Sequence, residues 1–494
     1  MVPTTKSVAS RTKSKIGSQC PFFSVDGRLR LKRHEGCFQA LRPLLHASPL
    51  HAPRPELHAR GDRRVMHLHF VQSLEPLQGA GLGQAALSLH LAMRGETKSP
   101  KDQKTKRQET GDGRQETGGS VQPNRSFPHA PSSMLLATRD AGFTRAWPHV
   151  IQGVRKGPAK AFYAPELKRL AAEAVSQAEW FHGHGLYVWT NMWLGGEARK
   201  RGKPLVYHPH GFFDPWILRR SRGKKRLAHW LFEDANINHV RWWRALSNKE
   251  AEQIRAVVGS RAVVHVIPNG IDIDEVDALD AHEVKSERLK VKGNDGERPQ
   301  TKRPKDQKTL AWMKRKRPKR LLFLSRIHAK KGLDLLVPAW GKLTKEFPDW
   351  ELLIVGPDEG GYQATVEKMI ADCGCGDTCW IHPAVSGAEK HALLRTADLF
   401  VLPSYSEGFP MAVLEAAAHR IPVVQTDECN FPELTAAGGA WECQPERDAV
   451  EAVLREALTA EDAERTERGL KGRKLVEKDY TWDQIAAEVL AACV

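Results

Sequence analysis

The chain has 494 residues, 75 Lys and Arg against 59 Asp and Glu, and a formal net charge of +16. That length suggests two or three domains of about 100–200 residues, and 41% hydrophobic residues exclude wholesale disorder. No apolar run approaches the ~18 residues of a membrane-spanning helix, and eight cysteines in so long a chain are no disulfide scaffold, which points to a reduced, intracellular setting.

Residues 1–65 hold 13 Lys and Arg against 4 Asp and Glu and show neither helical nor strand periodicity. They read as a basic, disordered leader without the apolar core of a secretory signal, and Met66, just before the first convincing strand, is a candidate start. From Met66 the chain runs strand (MHLHFV), glycine loop (Gly79 to Gly83) and helix (QAALSLHLAM). A low-complexity insertion at 94–133, net +3, interrupts it. The alternation resumes with SMLLATRD as strand, APELKRLAAEAVSQA as helix, WFHGHGL as strand, LGGEARKRG as helix and stop, and PLVYHPHG as strand. In RALSNKEAEQIRAVVG, Ser247 is a helix N-cap with Glu250 three residues on, a capping box, and VVHVIPNGID is strand and turn.

A second basic insertion follows at 283–319, net +9. Both insertions carry the hexapeptide PKDQKT, at 100–105 and 304–309, a separation that fits no solenoid repeat. With the leader's +9, the three basic segments exceed the total charge, so the remaining chain is net negative. A nucleic-acid-binding reading rests on that charge alone and finds no binding module in the body. Strand and helix then alternate again from KRLLFLSRI to IPVVQT. Such alternation implies parallel sheets covered on both faces, with ligands beyond the carboxyl ends of the strands and in the cleft between two facing domains.

Three constellations carry chemistry. In SEGFPMAVLEAAA (406–418), Glu407 precedes a helix and Glu415 sits in its second turn, while the amides of Gly408, Phe409, Pro410 and Met411 mark the helix N-terminus, Pro410 having no N–H to give. Two acids so placed suit the hydroxyls of a sugar and a ribose, and the helix end suits phosphate. In SRIHAKKGL (325–333), Arg326 and Lys331 project from one strand-to-helix loop and suit a diphosphate that gains charge as it departs, with Lys330 as the solvated member. The loop around Gly81 allows close backbone approach to a ligand, and equally serves as a plain tight turn.

The ordered motifs HGHGL (182–186), HPHGFFDPW (208–216), VIPNGID (266–272), LSRIHAKKGL, IVGPDEGGY, LPSYSEGFPMAVLEAAA and terminal YTWDQIA resemble the retaining GT-B glycosyltransferases of family 4. The resemblance covers 66–93, 134–282 and 320–494 and is most specific in the second half. It implies an α/β GT-B fold, two doubly wound Rossmann-like domains facing across a cleft: an acceptor domain at 66–275, a nucleotide-sugar domain at 320–480, and a helix at 481–494 returning to the first. It also implies transfer of a hexose from a nucleotide sugar to a saccharide or lipid-linked acceptor, with polysaccharide or lipopolysaccharide biosynthesis as the family-level setting. Arg326 and Lys331 match the diphosphate-binding pair, Glu407 the acid on the donor sugar and Glu415 the acid on the ribose. Gly408 to Met411 match the turn around sugar and phosphate, His210 the histidine facing the sugar, and Gly356 and Ile381 positions near the nucleotide. The resemblance requires no metal or other cofactor. A GT-B phosphorylase or a sugar-nucleotide epimerase remains an alternative on the same fold.

Other signals have competing readings. Asp272 and Asp274 imitate a metal-binding DxD but fall where a hinge is expected. Cys373, Cys375 and Cys379 with His382 lack paired zinc spacing and read as surface thiols. The basic run 219–226, flanked by Trp216, Trp230, Trp242 and Trp243, suits an anionic lipid headgroup or a lipid-linked acceptor and equally a solvated helix surface with buried tryptophans. Its place on the acceptor domain makes 216–243 the candidate surface by which a cytoplasmic protein would bind peripherally at the inner face of the membrane.

Overall fold

The computed structural model describes residues 65–71, 80–95, 132–138, 149–156, 163–219, 222–278 and 318–494. Apart from a few terminal residues, the basic segments and both PKDQKT copies lie outside the described residues.

Two parallel sheets organise the described chain. The first contains β1 (His67–Val71), β2 (Ser132–Thr138), β3 (Val150–Val154), β4 (Trp180–His184), β5 (Leu205–His208), β6 (Val240–Ala245) and β7 (Val264–Val266), in the order β3-β2-β1-β4-β5-β6-β7. The second contains β8 (Lys319–Leu324), β9 (Trp350–Val355), β10 (Cys379–His382), β11 (Leu399–Leu402), β12 (Val423–Thr426) and β13 (Ala440–Cys443), in the order β10-β9-β8-β11-β12-β13. Each order reverses once, between β1 and β4 and between β8 and β11. At such a switch point the connections diverge to opposite faces and leave a crevice at the carboxyl ends of the strands. HGHG ends β4, HPHG ends β5, SRIHAKKG follows β8, IVGPDEGG follows β9 and SYSEGFP follows β11. The motif-bearing loops are therefore gathered by topology.

The strands are apolar because parallel sheets are covered on both faces. Leu321, Leu322, Phe323, Leu352, Ile354, Phe400 and Val401 are fully buried in the second sheet. β3 and β6 were not anticipated. VIQGV is short and holds Gly153, and VRWWRA mixes cations with aromatics, which masks a strand. In β6 Trp242 and Trp243 face opposite sides of the sheet, one packing with Ile485 and Val489, the other with Tyr207 and Phe213. Both are buried, so they cannot belong to the surface expected over 216–243. Trp230 of that segment is 79% exposed.

The glycine run is also different from its expectation. The first helix begins at Ala80, which puts Gly81 and Gly83 inside its opening turns and not in a loop. The Trp482–Ala491 helix starts at a capping box made by Thr481 and Gln484 and packs on the Ala80–Met93 helix through Ala85, Leu89, Trp482 and Ile485.

Candidate functional site

Gly332 decides the shape of the loop after β8. It has φ 72°, and a Cβ there would stand 1.8 Å from the Pro403 carbonyl oxygen, so only glycine lets the loop press onto the end of β11. This contact carries Lys331 inward to 7% exposure. Its Nζ lies 2.6 Å from Glu407 Oε1, and Ser404 Oγ donates to the same oxygen at 2.5 Å. The backbone of Glu407 is held as well. Its N–H donates to the Glu428 carbonyl at 2.9 Å, and Asn430 Nδ2 donates to its carbonyl. Lys331 and Glu407 thus form one preorganised, nearly dry ion pair at the end of β11.

Gly356 plays the corresponding part after β9, since a Cβ would meet the Ser325 carbonyl oxygen at 1.7 Å. The two loops run together, with Ile327 N–H donating to the Pro357 carbonyl at 2.9 Å. Arg326 is exposed and its Nη1 donates to Glu359 Oε2 at 2.5 Å. Arg326 and Lys331 therefore share a loop but have different partners. Ile381, half-buried in β10, pairs with Ile354 one strand away, and Gly356 N–H donates to the His382 carbonyl at 3.2 Å.

The helix Met411–Ala418 starts from Pro410 without a side-chain cap, so its N-terminal end meets the crevice uncapped. The Met411 amide is already bonded to the Phe409 carbonyl at 3.1 Å, leaving fewer donors than a count from Gly408 to Met411 suggests. The Phe409 ring lies against Phe431 and Tyr480, with centroids 5.4 and 6.1 Å away. Glu415 is one turn in and paired with Lys390 Nζ at 2.7 Å.

Across the cleft, His210 stands at φ 54° and Gly211 at φ 82°. A non-glycine residue in the left-handed region costs of order 1–3 kcal/mol and persists only where its surroundings over-determine it. Here two bonds hold the turn: His184 Nδ1 to His210 Nε2 at 3.1 Å, and Gly211 N–H to Glu250 Oε1 at 2.5 Å. Glu250 was expected to close a capping box. Ser247 does accept the Glu250 N–H at 3.3 Å, but the Glu250 carboxylate turns to the amides of Leu246 and Gly211 instead. Burial raises the pKa of Glu250, and it lowers that of His210 to about 3, with the Arg244 charge adding to the effect. His210 is neutral at physiological pH. Buried Arg244, unremarked in the sequence, donates to the Ile267 and Pro268 carbonyls and so secures the VIPNG segment.

The two halves touch at the site. A Cβ on Gly408 would lie 3.8 Å from Gly211 Cα. Lys330, expected to be solvated, instead reaches Asp214 Oδ2 at 2.9 Å, which also accepts from Ser406 Oγ at 3.2 Å. Lys249 pairs with Glu428. The roles of Asp214, Glu250 and Lys330 at this site were not legible because each answers a partner more than thirty residues away, a signal that sequence spacing does not contain.

The competing metal signals resolve into local structure. Asp272 Oδ1 accepts the Glu275 N–H at 3.0 Å, as a helix-capping acid does. Cys375 and Cys379 are buried in the core, not surface thiols, and His382 Nδ1 bonds the Pro383 carbonyl at 2.8 Å. Among the described residues, one group, His67, His182 and Cys493, brings possible ligand atoms within 4.8 Å of one another. Its two imidazoles are 3.0 Å apart, and similar spacings recur in imidazole pairs without a thiol, so hydrogen bonding accounts for the contact.

Two facing parallel α/β domains with loops converging on an ion-paired lysine and glutamate define the GT-B architecture. Residues 305–474 match the family described as glycosyl transferases group 1, and residues 128–275 match glycosyltransferase family 4. The chain belongs to the family 4 GT-B glycosyltransferases. It is 27% identical to a D-inositol 3-phosphate glycosyltransferase of Arthrobacter sp. (strain FB24), over 69% of this chain and 79% of that protein. It is also 27% identical to the protein of that name from Pseudarthrobacter chlorophenolicus, over 56% of this chain and 64% of the relative. A GDP-mannose-dependent alpha-(1-6)-phosphatidylinositol monomannoside mannosyltransferase of Mycolicibacterium smegmatis is 25% identical over 65% and 76%. The fold matches Anabaena Alr3699/HepE, solved with UDP and glucose, at TM-score 0.59 and 15% identity, over 87% of this chain and 99% of that one.

Proposed function

We propose that the protein is a retaining glycosyltransferase that moves a hexose from a nucleotide sugar to a saccharide or lipid-linked acceptor. The observation that carries this reading is the Lys331–Glu407 pair beside an uncapped helix N-terminus, opposite the strained His210–Gly211 turn. In the proposed complex Lys331 and Arg326 exchange their carboxylate partners for the diphosphate and screen the charge that builds as it leaves. Glu407, released from Lys331, and His210 hold sugar hydroxyls. Glu415 takes the ribose hydroxyls, while Gly356 and Ile381 offer backbone groups near the base. With no free protein nucleophile required, the departing phosphate accepts the acceptor's proton and attack comes from the face it vacates. The relatives named for inositol phosphate and phosphatidylinositol mannoside acceptors favour an acceptor of that kind, and polysaccharide or lipopolysaccharide assembly is the proposed setting.

A thermal-shift screen of UDP-, GDP- and ADP-sugars identifies the donor, because a bound ligand raises apparent stability by mass action. With that donor, Lys331→Ala and Arg326→Ala should each lose about 100-fold or more in turnover, in the range of a removed electrostatic contact to a transition state. Unchanged kinetics in both would remove the diphosphate assignment. Product analysis with labelled donor separates transfer from epimerisation or phosphorolysis.

Peripheral membrane contact is part of the proposal. No described helix is long and apolar enough to cross a membrane. Leu227, near the end of the Arg222–Ala228 helix with its exposed Lys224 and Arg226, is exposed, as are Trp230 and Leu231 directly after that helix. Apolar anchors beside cations suit an anionic interface. Trp230→Ala with Leu231→Ala should reduce co-sedimentation with phosphatidylglycerol vesicles several-fold; equal sedimentation would discard this surface.

A further inference from the structure

Two rows of histidines cross the first sheet at successive same-face positions of β1, β4 and the end of β5. The inner row is His67, His182 and His208, and the outer row is His69, His184 and His210. Within the inner row, His67 Nδ1 meets His182 Nε2 at 3.0 Å and His182 Nδ1 meets His208 Nε2 at 3.1 Å. Within the outer row, His69 Nδ1 meets His184 Nε2 at 3.1 Å and His184 Nδ1 meets His210 Nε2 at 3.1 Å. The rows stack on each other, His69 on His182 at 4.5 Å and His184 on His208 at 4.3 Å. All but His210 are buried almost completely.

A neutral imidazole has one donor and one acceptor, so each bond in a row dictates the tautomer of the next ring. The ends choose the direction. His69 Nε2 and His208 Nδ1 are buried and have no hydrogen-bond partner. A buried N–H without an acceptor is rarer in folded proteins than an under-used acceptor, so these terminal nitrogens carry the lone pair. In the outer row this puts the proton of His69 on Nδ1, donated to His184, whose own Nδ1–H is donated to His210 Nε2. His210 must then carry its proton on Nδ1. The inner row runs the opposite way, from His208 Nε2–H through His182 Nε2–H to His67 Nδ1. That polarity occupies His182 Nε2 with a hydrogen bond and leaves no open nitrogen pair for a metal beside Cys493.

We propose that His69 and His184 are positioning residues for His210, a buried relay of imidazoles that fixes its proton on Nδ1 and so presents a hydrogen-bond donor to the cleft. The relay rests on the reading of the cleft as the sugar site only for its purpose, not for its existence. It also explains why His210 tolerates a left-handed backbone, since the bond to His184 fixes its ring while Glu250 fixes the next amide. The ligand group it suits is an oxygen acceptor, such as a sugar hydroxyl oxygen, and not a cation or an N–H group.

The test is long-range proton–nitrogen correlation on full-length protein labelled with nitrogen-15 histidine, which distinguishes Nδ1–H from Nε2–H rings. The His210 signal is assigned by its loss in His210→Gln. In the unmodified protein His69, His184 and His210 should be Nδ1–H, the minor form of free histidine in water, and His67, His182 and His208 should be Nε2–H. In His184→Phe, His210 should populate both tautomers, and His184→Gln, whose amide can donate, should restore Nδ1–H. An Nε2–H His210 in the unmodified protein overturns the relay without any variant having to fold. A single, unchanged tautomer in a folded His184→Phe overturns it too. These outcomes do not depend on turnover: an intact relay with a His210→Gln enzyme of normal activity would sink the sugar-site role of His210 and leave the relay standing.

Discussion

Lys331 illustrates how little of a residue's role is its own chemistry. Its ammonium is useful because Gly332 allows the backbone to approach Pro403 and because Glu407 and Ser404 occupy the place where the side chain arrives. Replacing Gly332 by Ala puts a methyl group into a carbonyl oxygen at a left-handed position, so it should destabilise by more than about 2 kcal/mol, the range of enforced backbone strain. Thermal unfolding checks the cost, and the donor-induced shift should disappear with it; an Ala variant of native stability would show that the loop does not need the contact. The Arg326, Lys331, Glu407 and Glu415 motif positions were legible in the sequence, because strand, turn and helix start follow one another in register there. Lys330 was misjudged. Adjacent lysines look alike in sequence, and only the opposite wall shows that Lys330 has Asp214 to reach.

At the scale of the element, the first sheet, the turn after β5 and the Ala80–Met93 helix packed on it carry seven histidines whose burial keeps them neutral. Burial lowers the pKa of His67 to about 4 and of His69 and His210 to about 3, and pushes His90, His182, His184 and His208 well below the ordinary value. Below pH 6.5 the unfolded chain binds protons that the folded one refuses, so stability is retained above that value and lost as pH falls. Each such imidazole contributes a slope of up to about 1.4 kcal/mol per pH unit. Several together should unfold the first domain in mildly acid solution. The midpoint of thermal unfolding should drop steeply between pH 6.5 and 5, and more gently in a variant with His90→Gln; a flat profile over that range would contradict the buried neutral ladder. The histidines were visible in HLHFV, HGHG and HPHG, but alternation in one strand does not tell which strands lie side by side. Parallel pairing of β1, β4 and β5 aligns them.

For the whole molecule, the cleft is bridged by Lys330–Asp214, Ser406–Asp214 and Lys249–Glu428. Single pairs of this kind are worth about 0–1 kcal/mol, which suits a closure that a ligand can bias. Lys249→Ala combined with Lys330→Ala should favour a more open arrangement, seen as a larger radius of gyration in small-angle scattering and a smaller change on adding donor. An identical scattering curve would mean that the pairs do not hold the domains. The large positive charge is concentrated in residues 1–65, 94–133 and 283–319, which apart from a few terminal residues lie outside the described residues.

The sequence by itself determined the alternation of strand and helix, the order of the glycine- and acid-bearing loops and hence the family and fold, because these depend on local periodicity and on short spacings along one strand–turn–helix unit. It also placed Glu407, Lys331 and His210 on those loops. Only the tertiary structure decided which groups answer one another across distance: Glu250 under Gly211, Asp214 against Lys330, Trp242 and Trp243 on opposite faces of one strand, and the six imidazoles in two rows. Partnership between strands and between domains depends on the crossover order of the sheets, and that order brings together residues that no linear pattern connects.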